Sequence, residues 1–273
     1  MPRAAKILMT AFVTHDVKRF VLQKPRGFKF VAGQATLVSI DQPDQQENAH
    51  PFTPTSLPED RILEFTIKGY PEHHGLTERL HQLRPGDQLL MGPVFGTIQY
   101  KGPGVFIAGG AGITPFIAIL RQLARDGRLA GNSLLFSNKT RGDVILEQEL
   151  RAYLGDRCIL TLSRESNPAY ENRKVDEAFL REKIADFNQP FYLCGPPPMV
   201  DAVTETLRKL GASPDNVVFE QQSCRAPPIM LPLRNCFKTE GRAVGSLAHR
   251  AYKPVFARRA RLPAARSRAE SRF

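Results

Sequence analysis

Short segments of this 273-residue chain hold residue types whose spacing suits gripping a phosphate and positioning a flat ring. The first runs Gly104-Val105-Phe106-Ile107-Ala108-Gly109-Gly110-Ala111-Gly112-Ile113-Thr114-Pro115. It reads as a buried strand, a glycine turn and a helix start, with Thr114 as N-cap and Pro115 as first helical residue, where a missing N–H costs nothing. Such glycines let a ligand approach the backbone, and the helix N-terminus offers free N–H groups to a phosphate. The second segment, Tyr192-Leu193-Cys194-Gly195-Pro196-Pro197-Pro198-Met199, ends a strand and opens a helix. That location is the C-terminal edge of a parallel sheet, where ligands of open α/β folds bind. Its glycine and three prolines make a stiff turn that could hold Cys194 against a nicotinamide, or serve structure alone.

The third segment is His50-Pro51-Phe52-Thr53-Pro54-Thr55-Ser56. A flavin needs an apolar or aromatic wall, a donor near its reactive ring nitrogen and a cation for its phosphate. A strand presenting His50, Phe52 and Thr53 could supply all three, and the same pattern suits an ordinary edge strand bracketed by prolines. Gly75-Leu76-Thr77 precedes a short helix, where small residues accommodate a pyrophosphate or simply cap the helix.

Two architectures must position these segments. Residues 5–13, 17–22, 35–40, 51–56, 63–68, 88–91 and 96–100 read as short strands separated by turn residues, with one helix near 77–83, a rhythm that predicts a sandwich or barrel. After Pro103, strands at 105–108, 133–136, 158–162, 191–194 and 217–219 alternate with amphipathic helices near 115–125, 145–154, 176–185 and 198–210. That alternation predicts a parallel sheet covered on both faces. The expected fold class is therefore β followed by α/β, an antiparallel barrel over 1–101 and a parallel-sheet domain over 102–222, with a tail at 223–273. Residues 102–120 form an uncharged run of nineteen, long enough to span a bilayer, but its glycine cluster and Pro115 favour strand, loop and helix.

The net charge of +11 is not spread evenly. Residues 223–273 carry twelve Lys or Arg and two Asp or Glu, against 26 and 25 over the rest. The nearly neutral body argues against nucleic acid as its partner. Cys158, Cys194, Cys224 and Cys236 show no zinc or iron–sulfur spacing. Lys6 interrupts the first apolar stretch, so no signal peptide is expected, and a reduced cytoplasmic setting follows. No metal is expected: His73, His74 and His81 near Glu72 and Glu78 match no established ligand spacing and read as solvated loop histidines. Cys158 reads as a small buried hydrophobe.

The four phosphate- and ring-binding segments, in this order over about residues 5–220, resemble the ferredoxin–NADP(H) reductase superfamily, with the greatest likeness to its bacterial flavodoxin-reductase-like members. The resemblance implies a barrel that binds FAD or FMN and an α/β domain that binds NADPH or NADH. It also implies electron delivery to a separate acceptor protein such as flavodoxin or ferredoxin, and no membrane. The family's flavin motif falls on His50, Phe52 and Thr53 with Pro51 between them, so Thr53 becomes the ring-nitrogen partner and His50 stands where the family has Arg. Ile67, Lys68 and Gly69 fall on the flavin-lining strand, and Gly75, Leu76 and Thr77 on the flavin pyrophosphate segment. Gly109, Gly110, Gly112, Thr114 and Pro115 fall on the nicotinamide-nucleotide loop, and Cys194, Gly195 and Pro196 on the segment beside the nicotinamide. Thr53 and Cys194 are the implied catalytic pair. Asn138, Lys139 and Arg164 are placed to contact a 2′-phosphate, which tilts the choice towards NADPH.

Imidazole is partly neutral at neutral pH, so His50 predicts a weaker phosphate anchor than Arg. That departure keeps two other functions open: a reductase of free flavin or ferric chelates, and a non-catalytic nucleotide-sensing or interaction protein on the same scaffold. The Arg-, Ala- and Pro-rich tail resembles nothing in the family and is expected to be disordered. Its sequence is consistent with a frameshift product, a basic arm that steers an acidic partner, or a non-specific nucleic-acid arm, the first being favoured.

Overall fold

The computed structural model describes residues 2–96 and 98–219. The predicted tail therefore lies outside the described residues. The first sheet is antiparallel and contains β1 (Arg3–Phe12), β2 (Val17–Gln23), β3 (Ala35–Ile40), β4 (His50–Phe52), β5 (Ile62–Lys68) and β6 (Gln88–Phe95). Their order is β4-β3-β6-β1-β2-β5, and a bridge from Pro54 to Phe65 returns the chain after β4 onto β5, bending the sheet into a barrel. Alternate residues fill it, including Ile7, Phe20, Leu22, Val38, Leu63 and Phe65, while α1 (Leu76–Gln82) plugs one end with Leu76 and Leu80. Each such side chain contributes about 1.5–3 kcal/mol on burial.

Two strand expectations change. The strand predicted over 51–56 shrinks to three residues because Pro51 and Pro54 lack the N–H a ladder needs. The ladder resumes at Thr55, whose N–H donates to the Glu64 carbonyl at 2.8 Å. The strand predicted over 96–100 is absent at its described positions, and β6 instead continues to Phe95 through Gly92 and Pro93. Those two residues oppose Leu37 alone, a bulge that accommodates the proline.

The second sheet is parallel: β7 (Val105–Gly109), β8 (Ser133–Asn138), β9 (Cys158–Leu162), β10 (Phe191–Cys194) and β11 (Val217–Phe219), in the order β11-β10-β7-β8-β9. Helices α2 (Thr114–Arg125), α3 (Glu147–Leu154), α4 (Glu177–Lys183) and α5 (Pro197–Lys209) connect them. Both faces are buried, so the strands read as continuous apolar runs. Phe106, Phe136, Leu160 and Tyr192 pack with α2 and α3 on one face, and Ile107, Leu135, Phe191 and Leu193 with α4 and α5 on the other. The chain moves outward from β7 through β8 to β9 and then returns to β10 on β7's other side. That reversal opens a crevice at the strands' C-terminal ends, between β7 and β10.

The two sheets belong to one compact unit. The crossover between them is pinned by Tyr192, whose hydroxyl accepts from the N–H groups of Lys101 and Gly102 and donates to the Gly102 carbonyl. The uncharged run at 102–120 is strand, a single 3-10 turn and helix, and among the described residues no helix is long and apolar enough to cross a membrane.

Candidate functional site

The crevice between β7 and β10 brings two predicted segments into contact. A Cβ on Gly112 would lie 2.3 Å from the Cys194 carbonyl oxygen and 2.6 Å from the Gly195 Cα. One on Gly109 would lie 2.5 Å from Met199 Sδ and 2.9 Å from Pro196 Cδ. Gly110 has open space around it but a φ of +52°, which favours glycine for a different reason. Thr114 does not cap α2 as expected. Residues Gly110–Ile113 form a 3-10 turn that makes the chain helical before Thr114, whose hydroxyl instead donates to the Ala111 carbonyl at 3.1 Å. Pro115 is accordingly the second helical residue and is buried. Neither the start of α2 nor that of α5 is itself a free donor set. Pro115, Pro197 and Pro198 have no N–H, and the N–H groups of Thr114 and Met199 donate to the carbonyls of Ala111 and Pro196. The backbone left to face a ligand is therefore the 3-10 turn Gly110–Ile113 ahead of α2. A floor of glycine ahead of α2 lets a ligand approach the backbone closely, which fits a dinucleotide pyrophosphate.

Asn138, Lys139 and Arg164 also come together. The Ser163 N–H donates to the Asn138 carbonyl and the Arg164 N–H to the Lys139 carbonyl, both at 2.9 Å, so the ends of β8 and β9 run side by side. The Lys139 and Arg164 side chains are exposed. Asn138 is 4 % exposed, yet its Oδ1 and Nδ2 have no hydrogen-bond partner. An unsatisfied buried amide costs about 1–3 kcal/mol, and a polar ligand at the sheet edge would remove that cost.

The flavin-type segment is built differently. His50 is exposed, with Nε2 3.1 Å from Asn48 Oδ1, and pairs with Val38 across β3. Phe52 packs partly onto the barrel core, and Thr53 is half-buried just beyond the strand end. Ile67 and Leu76 are core residues, 2 % and 1 % exposed, so they can offer a ligand only backbone groups. Lys68 is half-buried and ion-paired to Asp16 at 2.6 Å. Gly69 has a clear steric cause, because a Cβ there would meet the His81 ring at 2.8 Å. Gly75 and Thr77 flank the buried Leu76 and stay half-exposed.

His81 is not the solvated residue expected from its loop neighbours. Its Nε2–H donates to the Ile67 carbonyl at 2.9 Å, and burial pushes the imidazole below its ordinary pKa of 6.5. His73 stacks on Tyr70, and His74 sits 3.4 Å from Glu78, both exposed. Among the described residues His15, Asp16 and Asp143 bring ligand-type atoms within 4.8 Å of one another. Lys68 already holds Asp16, and the Asp143 carboxylate accepts from the Thr140 N–H and hydroxyl. Cys158 is buried as expected, and burial pushes its thiol up to about 11.

One residue escapes the sequence reading altogether. Arg121 of α2 donates to both carboxylate oxygens of Glu149 at 2.6 and 2.9 Å, to Glu64 Oε1 at 2.7 Å and to the Thr55 carbonyl at 2.8 Å. The only sequence signal is a charge set among Ile119, Leu120 and Leu123 on an apolar helix. Burial opposes the charge on both Arg121 and Glu149, but their pairing wins, raising the former's pKa and lowering the latter's.

Residues 3–89 match the model of an FAD-binding domain and residues 106–205 that of an oxidoreductase NAD-binding domain. The chain is 24 % identical over 213 residues to the ferredoxin–NAD(P)(+) reductase component of the naphthalene 1,2-dioxygenase system of Pseudomonas putida. That match covers 75 % of this chain and 64 % of the relative's length. It is 29 % identical over 251 residues to NADH-cytochrome b5 reductase 1 of Bos taurus, covering 77 % and 82 % of the two chains. The fold is similar to the crystal structure of a ferredoxin NADP+ reductase from Neisseria gonorrhoeae with bound FAD and NADP. The TM-score is 0.69 at 21 % identity, over 80 % of this chain and 98 % of that one.

Proposed function

The chain belongs to the ferredoxin–NADP(H) reductase superfamily, and from that premise we propose that it moves electrons from a nicotinamide dinucleotide through FAD to a separate acceptor protein. The observation that carries the reading is the interlock of Gly109 and Gly112 with Cys194, Gly195 and Pro196 at the mouth of the parallel sheet. This contact leaves no room for side chains at Gly109 and Gly112, which lets a ligand reach the backbone of the turn between β7 and α2.

The chain's own residues divide the work. The backbone N–H groups of the turn at Gly110–Gly112, ahead of α2, take the nucleotide's pyrophosphate. Cys194, half-buried at the end of β10, forms the wall for the nicotinamide ring. Thr53 offers its hydroxyl to the flavin's ring nitrogen, Phe52 an apolar edge, and Gly75 and Thr77 polar backbone to the flavin pyrophosphate. His50 stands at the flavin phosphate. FAD, when bound, supplies the capacity to accept a hydride and to release electrons one at a time. Lys139 and Arg164, exposed side by side, favour a ligand bearing a 2′-phosphate and hence NADPH over NADH. Flavodoxin or ferredoxin is the proposed class of acceptor.

One observation supports a second reading. His50 is exposed and stands where the family has Arg, which weakens the grip on the flavin phosphate and suits a reductase that releases flavin as product. A visible spectrum of the purified protein, taken before and after anaerobic NADPH with NADH in parallel, tests both. A retained flavin that bleaches supports the electron-transfer reading. A colourless protein that reduces added flavin supports the second. A protein that does neither with added FAD overturns both.

A further inference from the structure

The two halves of the candidate site sit on different sheets, so something must fix their relative pose to within a fraction of an ångström. Apolar packing along the seam does not do this alone. A groove of about 390 Å³ opens between the barrel and the second half of α2, lined by Val31, Gln34, Tyr100, Ile119, Gln122 and Arg128. From the same stretch of α2, the Arg121 cluster closes the seam against β5 and the chain after β4.

Arg121 lies seven residues into α2 from Thr114, about 10 Å along a helix that begins at the nucleotide crevice. Its Thr55 partner lies two residues beyond Thr53, about 7 Å of extended chain from the residue that would face the flavin. Glu64, on β5, is itself held by the Thr55 hydroxyl at 2.8 Å and approached by Arg19 Nη1 at 4.0 Å. Glu149, on α3, also accepts from the Tyr153 hydroxyl at 3.0 Å. The Arg121 side chain is 17 % exposed, with Glu64 at 10 % and Glu149 at 25 %. One planar guanidinium therefore joins a carboxylate and a carbonyl of the barrel to a carboxylate of the α/β half. Its fork geometry spans them in a way a lysine ammonium cannot.

We propose that Arg121 is a positioning residue for hydride transfer: it locks the flavin-bearing strand to the nucleotide-bearing helix and thereby sets the approach of the two rings. The inference rests on the electron-transfer reading above, and it goes beyond that reading by assigning the ring alignment to a residue that touches neither ligand. The lock acts on geometry and leaves binding to the two separate halves. Its loss is therefore read in the rate at saturating nucleotide and not in affinity.

Two variants of the full chain test it. Arg121→Lys keeps the charge and loses the fork. The triple variant Arg121→Met/Glu64→Gln/Glu149→Gln removes the lock without stranding a buried carboxylate, in case the single change fails to fold. The expected result is a fall of about tenfold to a hundredfold in the saturating rate of flavin reduction. Dissociation constants for FAD and nucleotide should stay within about threefold, since each ligand keeps its own half. In the cofactor-free protein, the amides of Thr55 and Glu64 should exchange hydrogen faster in both variants than in the wild type. Unchanged saturating rates, or a loss confined to affinity, overturn the lock. Wild-type protein that accepts no electrons from either nucleotide overturns the electron-transfer reading instead, and unchanged exchange at Thr55 and Glu64 then overturns the lock as well.

Discussion

The nucleotide crevice and the flavin segment are built on opposite plans. At the crevice, backbone meets backbone: Gly112 abuts the Cys194 carbonyl, Gly195 abuts Gly109, and the strands beneath are buried on both faces. At the flavin segment a three-residue strand broken by prolines carries an exposed His50 and a half-buried Thr53. The first surface is preformed by packing and has no side chain to vary. The second depends on side chains at a weak edge, where substitution is tolerated. In the proposed assignment the departures from the family's pattern, His50 for Arg and Phe52 for Tyr, both fall on the second. A steric requirement holds a backbone site in place, whereas a side-chain site can drift in affinity without loss of fold.

The sharpest way to break the contrast is to add one methyl group to the crevice. Gly112→Ala places a Cβ 2.3 Å from the Cys194 carbonyl oxygen, a backbone atom that cannot move aside cheaply. The expected strain of about 3 kcal/mol should weaken nucleotide binding about a hundredfold while FAD binding is unchanged, as calorimetry on both ligands would show. Gly110→Ala serves as comparison, since its space is open and only its φ of +52° is unfavourable, for a cost of about 1–2 kcal/mol. Equal effects from the two changes would mean that backbone conformation, not close approach, shapes the crevice.

The flavin segment should respond in the other direction. His50→Arg restores a permanent cation and is expected to tighten FAD about tenfold, worth roughly 1.4 kcal/mol as a charge-assisted contact. A fluorescence titration that finds equal FAD affinity in the wild type and the Arg variant would remove His50 from the phosphate site.

Much of this organisation was legible from residue order, and the exceptions have physical causes. The alternation of apolar strands and amphipathic helices after Pro103 located every strand of the parallel sheet, because strands buried on both faces leave continuous apolar runs. The glycine run and the Cys-Gly-Pro segment were legible because glycine and proline constrain backbone directly. The β4 region was misread in length because two prolines remove ladder donors, and residues 96–100 because the bulge at Gly92 and Pro93 lets β6 run on. Arg121 was invisible for a different reason. Its partners lie 57 and 28 residues away, and no local pattern marks a salt bridge formed across a seam. His81 was misjudged likewise, since its burial depends on Ile67 of β5 and on Gly69 just beyond that strand.

Asn138 sharpens the comparison on the nucleotide side. Its buried amide has no partner, so replacing it with an apolar residue of similar size should stabilise the ligand-free protein. Asn138→Leu is expected to raise stability by about 1 kcal/mol and to weaken nucleotide binding by a similar amount. Denaturant unfolding with and without nucleotide separates the two effects. A destabilised variant with unchanged affinity would give Asn138 a structural role instead.

The smallest expected effect is a pH signature that distinguishes the barrel from the seam. Burial holds His81 neutral in the fold, with its pKa below the ordinary 6.5, so the unfolded chain takes up the proton first. Stability from the neutral ring is therefore fully present above 6.5 and declines as pH falls below it, until the folded ring also protonates. Glu149 behaves as the usual carboxylate does. Burial opposes its charge, the Arg121 pairing prevails, and its pKa is held below 4.5, so the stability it contributes is intact above 4.5 and is lost only as pH falls below that. The two windows do not overlap at their upper edges. Thermal melts across pH should show a first decline beginning near 6.5 that disappears in His81→Gln, whose amide can still donate to the Ile67 carbonyl, and a second decline below 4.5 that persists in it. A His81→Gln protein that keeps the first decline would locate that titration elsewhere.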